Sequence, residues 1–329
     1  MPCPPPTPQT QVSAGCNWSA INPFLVKLGL QTILWVFTAI MCFSIVLNLG
    51  IIMACFSRRF DKPMLLYIAL CSVSDLSWGI TGISYYLSSA LLQQREITFI
   101  SCLFEMFCLY FTLLQQFLTI FIMYIDRHWA IFWPYTYVAL IANKGGALKL
   151  AAVVWIIGLV LSLVYPIVTA HMVFCNDVVV LSDVTCVFGP VEKASCRQSN
   201  LFVILTAIIM YSVFGLTGLT ATYSTWCIIR KCRNSSTEAN IKAFHTCLTQ
   251  LFVTMANFTS VVIMSVLKRF LKHPRASFFL DVIGLVSPAT IDPLIFGLRT
   301  QEIRLVFIHV YHNLKIKLTA PQKLFIGRV

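Results

Sequence analysis

The chain has 329 residues, of which 58% are hydrophobic and 11% charged, and its formal net charge is +12. Soluble domains carry about 25% charged residues, so this composition leaves too little polar surface for a water-soluble fold and implies an integral membrane protein. The positive balance reads as a topological signal, because the cytosolic leaflet is anionic and attracts juxtamembrane Lys and Arg; nothing indicates nucleic-acid binding.

Residues 1–27 are expected to form an extracellular segment. It opens with MPCPPPTPQTQ, which lacks the charged and apolar regions of a cleavable signal peptide, so the first span is expected to serve as the insertion signal. Asn17-Trp18-Ser19 is a glycosylation acceptor there. Asn257-Phe258-Thr259 within a span and Asn234-Ser235-Ser236 in a cytosolic loop are expected to stay unmodified. Cys3 and Cys16 either pair with each other or remain free.

Seven apolar runs follow: Leu28–Ser57, Met64–Gln94, Met106–Ile125, Leu150–Ala170, Gln198–Ile229, Ala243–Leu267 and Ala276–Leu298. Each is long enough, at ~1.5 Å per residue, to cross ~30 Å of hydrocarbon as a helix. A transmembrane domain over 28–298 and a cytosolic tail over 299–329 are therefore expected, with the termini on opposite sides. One set of loops, with the tail, holds sixteen Lys and Arg, among them Arg58, Arg59, Lys62, Arg230, Lys231 and Arg233; the other set holds eight. The positive-inside rule then puts the N-terminus outside. Lys268, Arg269, Lys272 and Arg275 run against this, crowding a loop assigned to the outer side.

Of the thirteen cysteines, Cys42, Cys55, Cys71, Cys108, Cys227 and Cys247 fall in or beside spans, where a thiol behaves as a small hydrophobe. Cys102 stands at the outer mouth of span three, and Cys175, Cys186 and Cys196 share the next outer loop. Four thiols in an oxidising compartment allow three connectivities. One ties Cys186 to Cys102 and closes a loop around that anchor with Cys175 and Cys196.

Polar residues interrupt the spans at Asn48, Asp75, Gln116 and Asp292-Pro293. Charge at bilayer depth costs at least ~2.5–3.5 kcal/mol, which marks intramembrane carboxylates as functional candidates. The competing account is helix-to-helix hydrogen bonding, worth ~1–2 kcal/mol each. Pro293 lacks a backbone donor and permits a kink. Span three ends in MYIDRHWAIF, residues 123–132, so that Asp126 and Arg127 must face protein or the cytosolic rim. Beyond span seven, Ile303, Phe307, Val310 and Leu314 recur among Arg304, His312, Lys315 and Lys317, the pattern of a short amphipathic helix on the membrane surface.

Several motifs occur together: Asn48; Lys62-Pro63-Met64; LCSVSDL with Asp75; MYIDRHWAIFWPYTY (123–137); Trp155; three outer-loop cysteines facing Cys102; Tyr223; KAFHTCLTQL (242–251); and SPATIDPLIFGLRTQEIR (287–304). Over roughly residues 30–305 this constellation resembles the rhodopsin-like G-protein-coupled receptors, and within them the vertebrate odorant receptors, with the fish type suggested. The last two motifs discriminate most. The resemblance implies an all-α membrane protein, a seven-transmembrane helix bundle with a short amphipathic cytosolic helix, that binds a small odorant and activates a heterotrimeric G protein of the stimulatory olfactory type. It implies a multi-pass plasma-membrane protein, in sensory cilia where the tissue is olfactory, without enzymatic activity or cofactor.

By the same resemblance, Asp126 holds Arg127 at rest and Arg127 meets the G protein on activation. His128, Tyr223, Lys242, His245, Asp292, Pro293 and Phe296 belong to the switch, and Asp75 to a sodium site. The chain departs from the pattern in His128 for tyrosine, Asp292 for asparagine, Phe296 for tyrosine, His245 for serine, and Gln116 where glutamate is frequent. Sodium would thus find one carboxylate in place of two, and Phe296 has no hydroxyl to share with Tyr223. The ligand is expected among Leu109, Tyr110, Leu113, Tyr211, Phe258, Val262, Ser265 and Asp281, with ordinary packing the competing account at each position. Glu105 and Asp281 either receive a cationic ligand group or pair with Lys268 or Arg269.

Three other functions compete with this one. A rhodopsin-like receptor for a different small molecule would differ in tissue of expression. A retinal protein is disfavoured because span seven holds no lysine for a Schiff base. A transporter or channel using Asp75, Glu105 and Asp292 would need ligand-dependent flux, and the chain carries no evident inverted repeat.

Overall fold

The computed structural model describes residues 11–14, 29–58, 62–92, 95–142, 144–174, 178–180, 186–196, 200–234, 238–264 and 274–319. The helices are α1 (Gly29–Ser57), α2 (Pro63–Leu92), α3 (Phe99–Phe132), α4 (Pro134–Leu140), α5 (Lys144–Ala170), α6 (Phe188–Lys193), α7 (Asn200–Asn234), α8 (Glu238–Val262), α9 (Pro274–Arg299) and α10 (Gln301–Thr319). Five described segments are long and apolar enough to cross a membrane: Trp35–Ser57, Pro63–Gly82, Phe99–Phe132, Gly145–Ala170 and Asn200–Arg233. Helices α8 and α9, of 25 and 26 residues, are comparably long but carry more polar residues, including Gln250, Asn257, Ser287 and Asp292.

The helical class expected from the sequence holds, with one addition. Strands β1 (Gln11–Ala14), β2 (Arg95–Thr98) and β3 (Val178–Val180) form a small sheet in the order β2-β1-β3. Val12 pairs antiparallel with Ile97 and parallel with Val179. These strands are too short to register as period-two patterns, and their pairing links three distant segments.

The helices are turned inside out relative to those of a soluble bundle. Helix α1 buries Phe37, Met41, Ser44, Asn48 and Ile51 at helical spacing, while Trp35, Phe43, Val46, Met53 and Phe56 are exposed. An apolar outer face with polar residues on the inner one fits a lipid solvent. Helix α3 is the axis, packed against α2, α5, α7 and α8, and α9 closes the ring against α1, α2 and α8. Two close approaches are made at glycine: a Cβ on Gly158 would lie 2.8 Å from the Gln115 amide, and one on Gly50 would lie 3.2 Å from the Phe307 ring.

Two apolar cores stack along the bundle. One, around Cys102, Met106, Leu114, Tyr165 and Cys186, lies at the end that carries the sheet. The other, around Ile51, Tyr67, Ile120, Tyr124, Phe296 and Ile303, lies at the end that carries α4 and α10. Between them sits a belt of buried polar side chains.

Candidate functional site

That belt is built by α1, α2, α3, α8 and α9. Pro293 has no N–H, so the carbonyl of Ala289, one turn earlier, lacks its helical donor. Asn48 Nδ2 donates to that oxygen at 2.9 Å, and Ser44 Oγ donates to it as well. A break in α9 is thus repaired from α1, and the two helices are pinned together. Asp292, fully buried, accepts Gln116 Nε2 at 2.9 Å and Asn257 Nδ2 at 2.7 Å through its Oδ2. Asp75 is buried close to Gln116 and Asp292. The structure therefore brings Asn48, Asp75, Gln116 and Asp292 into one region and adds Asn257, whose only sequence signal is a glycosylation triplet expected to stay unmodified.

The other end of α3 holds the arginine. The helix continues to Phe132, so Asp126 and Arg127 lie within it, about one and a half turns from its end. Asp126 is buried, and its Oδ2 lies 3.8 Å from Arg127 Nε, within ion-pair range but beyond a hydrogen bond. The firmer partner of Asp126 is Tyr137 of α4, whose hydroxyl donates to Oδ1 at 3.0 Å. Burial and the Asp126 carboxylate both push the Tyr137 hydroxyl above its ordinary range, so it keeps its proton and donates. Sequence reading missed this role, although the Pro134 that starts α4 inside the WPYTY motif was a signal for it.

Further bonds tie α3 to its neighbours at this end. Tyr124 Oη and Thr254 Oγ1 lie 3.1 Å apart, and Gln250 Nε2 donates to the Ile120 carbonyl at 3.4 Å, joining α3 to α8. Lys231 of α7 donates to the Ile131 carbonyl at 2.6 Å and lies over the Phe132 ring, where a cation meets the negative end of the α3 dipole. His128 stacks on Phe132 at 4.6 Å and lies 5.6 Å from Tyr223. Lys62 and Glu302 form a salt bridge between the start of α2 and α10. Partial burial raises the Glu302 carboxyl, but the hydrogen bond and charge of Lys62 hold it net below its ordinary range.

Not every predicted switch residue sits inside. Pro293 and Phe296 are buried, whereas Tyr223 is 60% exposed and His245 is also exposed, beside Phe244. Tyr223 thus stands on the bundle surface, its ring 5.6 Å from that of His128. The side chain of Lys242 lies outside the described residues.

At the sheet end, Cys102 and Cys186 are disulfide-bonded, with Cα atoms 5.4 Å apart. Cys196 is also disulfide-bonded, while Cys175, like Cys3, Cys16 and Asn17, lies outside the described residues. The tether holds the 186–196 segment over α3. Tyr110 stacks on Tyr165 with centroids 3.6 Å apart and accepts the Phe188 N–H at 3.3 Å; Glu105, 8% exposed, accepts the Cys186 N–H at 3.4 Å. Deeper, Phe117, Phe214 and Phe258 form an aromatic cluster.

Among the expected ligand residues, Leu109 and Tyr110 are buried, and Leu113 and Phe258 are half-buried against this core. Two expectations are corrected. Tyr211 is 73% exposed because the inner face of α7 runs through Val213, Thr217, Ala221, Ser224 and Ile228, about half a turn away. Val262 is 51% exposed, since four residues overshoot a full turn by about 40° and carry it outward from Phe258. Ser265 and the side chain of Asp281 lie outside the described residues. Among the described residues no group of three His, Cys, Asp or Glu could hold a metal ion, and the second carboxylate of the belt, close to Asp75, is that of Asp292.

Comparison with known proteins adds an independent line. A family model described as olfactory receptor matches residues 37–314. Olfactory receptor 10H28 of Mus musculus is 27% identical over 312 residues, covering 91% of this chain and 97% of the relative. Olfactory receptor 51I2 of Homo sapiens is 25% identical over 259 residues, covering 78% and 82% respectively. Olfactory receptor 51E2 of Homo sapiens is 27% identical over 302 residues, covering 88% and 93%.

Proposed function

Given that this chain belongs to the olfactory receptor family, odorant G-protein-coupled receptors and not enzymes, we propose that it is a seven-span receptor whose Asp126–Arg127 pair gates the G protein. The N-terminus faces outward and the tail inward. A small odorant enters between α3, α7, α8 and α9 at the end closed by the Cys102–Cys186 tether, near Leu109, Tyr110, Leu113 and Phe258. The G protein is of the stimulatory olfactory type, and the membrane is that of sensory cilia.

The observation that carries the mechanism is the arrangement at the end of α3. Arg127, 21% exposed, is held by charge but not by a hydrogen bond, so its release requires little rearrangement. Asp126 stays buried and keeps a partner in Tyr137, which avoids an uncompensated carboxylate when Arg127 leaves. Outward motion of α8 breaks the Tyr124–Thr254 and Gln250–Ile120 contacts and opens the cleft into which Arg127 turns. The odorant shifts this equilibrium only by binding the open state more tightly.

Cells expressing the chain with the stimulatory olfactory G protein, screened with odorants and amino acids for a cyclic-AMP rise, provide the test. Arg127→Ala is expected to abolish the response at unchanged surface expression. A response of full size in that variant would contradict the assigned switch.

A further inference from the structure

On the perimeter of the bundle, α8 and α9 leave an apolar groove of about 360 Å³ lined by Phe252, Ile291, Leu294, Ile295, Leu298 and Arg299. The groove faces away from the polar belt. Asp292, Pro293 and Phe296 occupy the inner face of α9, whereas Ile291, Leu294 and Leu298 are all exposed. From Ile291 to Arg299 the helix rises ~12 Å, close to the ~15 Å of hydrocarbon in one leaflet.

The single charge in the lining stands at its end. Arg299 lies in the last turn of α9 and reaches across the groove, its guanidinium 5.8 Å from the centroid of the Phe252 ring on α8. The chain then enters α10, whose Glu302 pairs with the solvent-exposed Lys62, so Arg299 stands at headgroup depth. No carboxylate pairs with it among the described residues. An apolar channel one leaflet deep that ends in a guanidinium matches an acyl chain joined to an anionic phosphate.

We infer that this groove binds an anionic phospholipid of the cytosolic leaflet, with its acyl chain along Ile291, Leu294 and Leu298 and its phosphate on Arg299. The leaflet assignment rests on the orientation proposed above; the groove and its arginine do not. Because α8 is the helix proposed to move, a lipid that fits its resting position holds the receptor off, and one that fits the open position holds it on.

Photo-crosslinking tests this. The purified full chain is reconstituted into phosphatidylcholine vesicles with and without phosphatidylserine. Each lipid is supplied in turn with a diazirine on an acyl chain, and the labelled peptides are mapped by mass spectrometry. The segments around Phe252 and 291–298 are expected to take the phosphatidylserine probe about fivefold over the phosphatidylcholine probe. Arg299→Gln is expected to remove the preference, Arg299→Lys to retain most of it, and Leu294→Trp to reduce labelling by both probes by filling the groove. Equal labelling by the two probes in the unaltered chain, or a preference that survives Arg299→Gln, overturns the proposal. Each probe is present in both leaflets, so labelling reports the groove whichever way the chain inserts. Protease access to the C-terminal tail reads orientation separately, and a tail on the outer side would overturn the topology while leaving the lipid preference intact.

Discussion

Gln116 and Asp292 each depart from the residue frequent at their positions in the odorant-receptor pattern, and the two departures touch, with Gln116 Nε2 donating to Asp292 Oδ2 at 2.9 Å. Against that pattern the pair keeps one acid and one amide, with their places exchanged. We predict that Gln116→Glu alone adds a third buried carboxylate beside Asp292 and Asp75 and lowers stability by about 3 kcal/mol. Gln116→Glu combined with Asp292→Asn should recover most of that loss. Thermal unfolding of the purified single and double variants measures the coupling, and strictly additive effects would refute the exchange. The sequence displayed both departures, yet nothing in it linked positions 176 residues apart.

For the helices, the polar contacts between α3 and α8 set the cost of separating them. Tyr124 to Thr254 and Gln250 to the Ile120 carbonyl are worth about 1 kcal/mol each. Thr254→Val removes one of them at nearly constant volume and is expected to raise ligand-independent cyclic AMP about fivefold, the population change that ~1 kcal/mol produces. Basal signalling per receptor at the surface is the measurement, and an unchanged or lower value would show that α8 does not swing away from Tyr124. Helix existence was legible from apolar runs, but facing was not. The outward positions of Tyr211 and Val262 follow from rotations that a list of apolar residues does not specify when lipid and core are equally apolar.

Across the whole molecule, one end is fastened covalently and the other is held by weaker polar contacts. Cys102 and Cys186 are 84 residues apart in sequence, and the sheet β2-β1-β3 joins the N-terminal segment to the same region. Breaking the tether with Cys186→Ser should cost about 2–4 kcal/mol and impair the odorant response through a displaced 186–196 segment. Thermal unfolding and odorant dose-response curves together check this, and an unaltered unfolding temperature would contradict a stabilising tether. The end that carries α4 and α10 relies on an ion pair at 3.8 Å and a handful of hydrogen bonds, which suits the end proposed to open.

The residues alone established a membrane protein with long apolar helices, a polar belt and an Asp-Arg pair at the end of one helix, because hydrocarbon length and the cost of buried charge leave few alternatives. Tertiary structure decided which polar atoms meet: the Ala289 carbonyl with Asn48, Asp126 with Tyr137, and Asp292 with Gln116 and Asn257. It also decided that α8 and α9 leave a groove capped by Arg299. Those outcomes depend on the rotation of each helix about its axis, which is fixed by packing between segments far apart in the chain and leaves no local periodic trace.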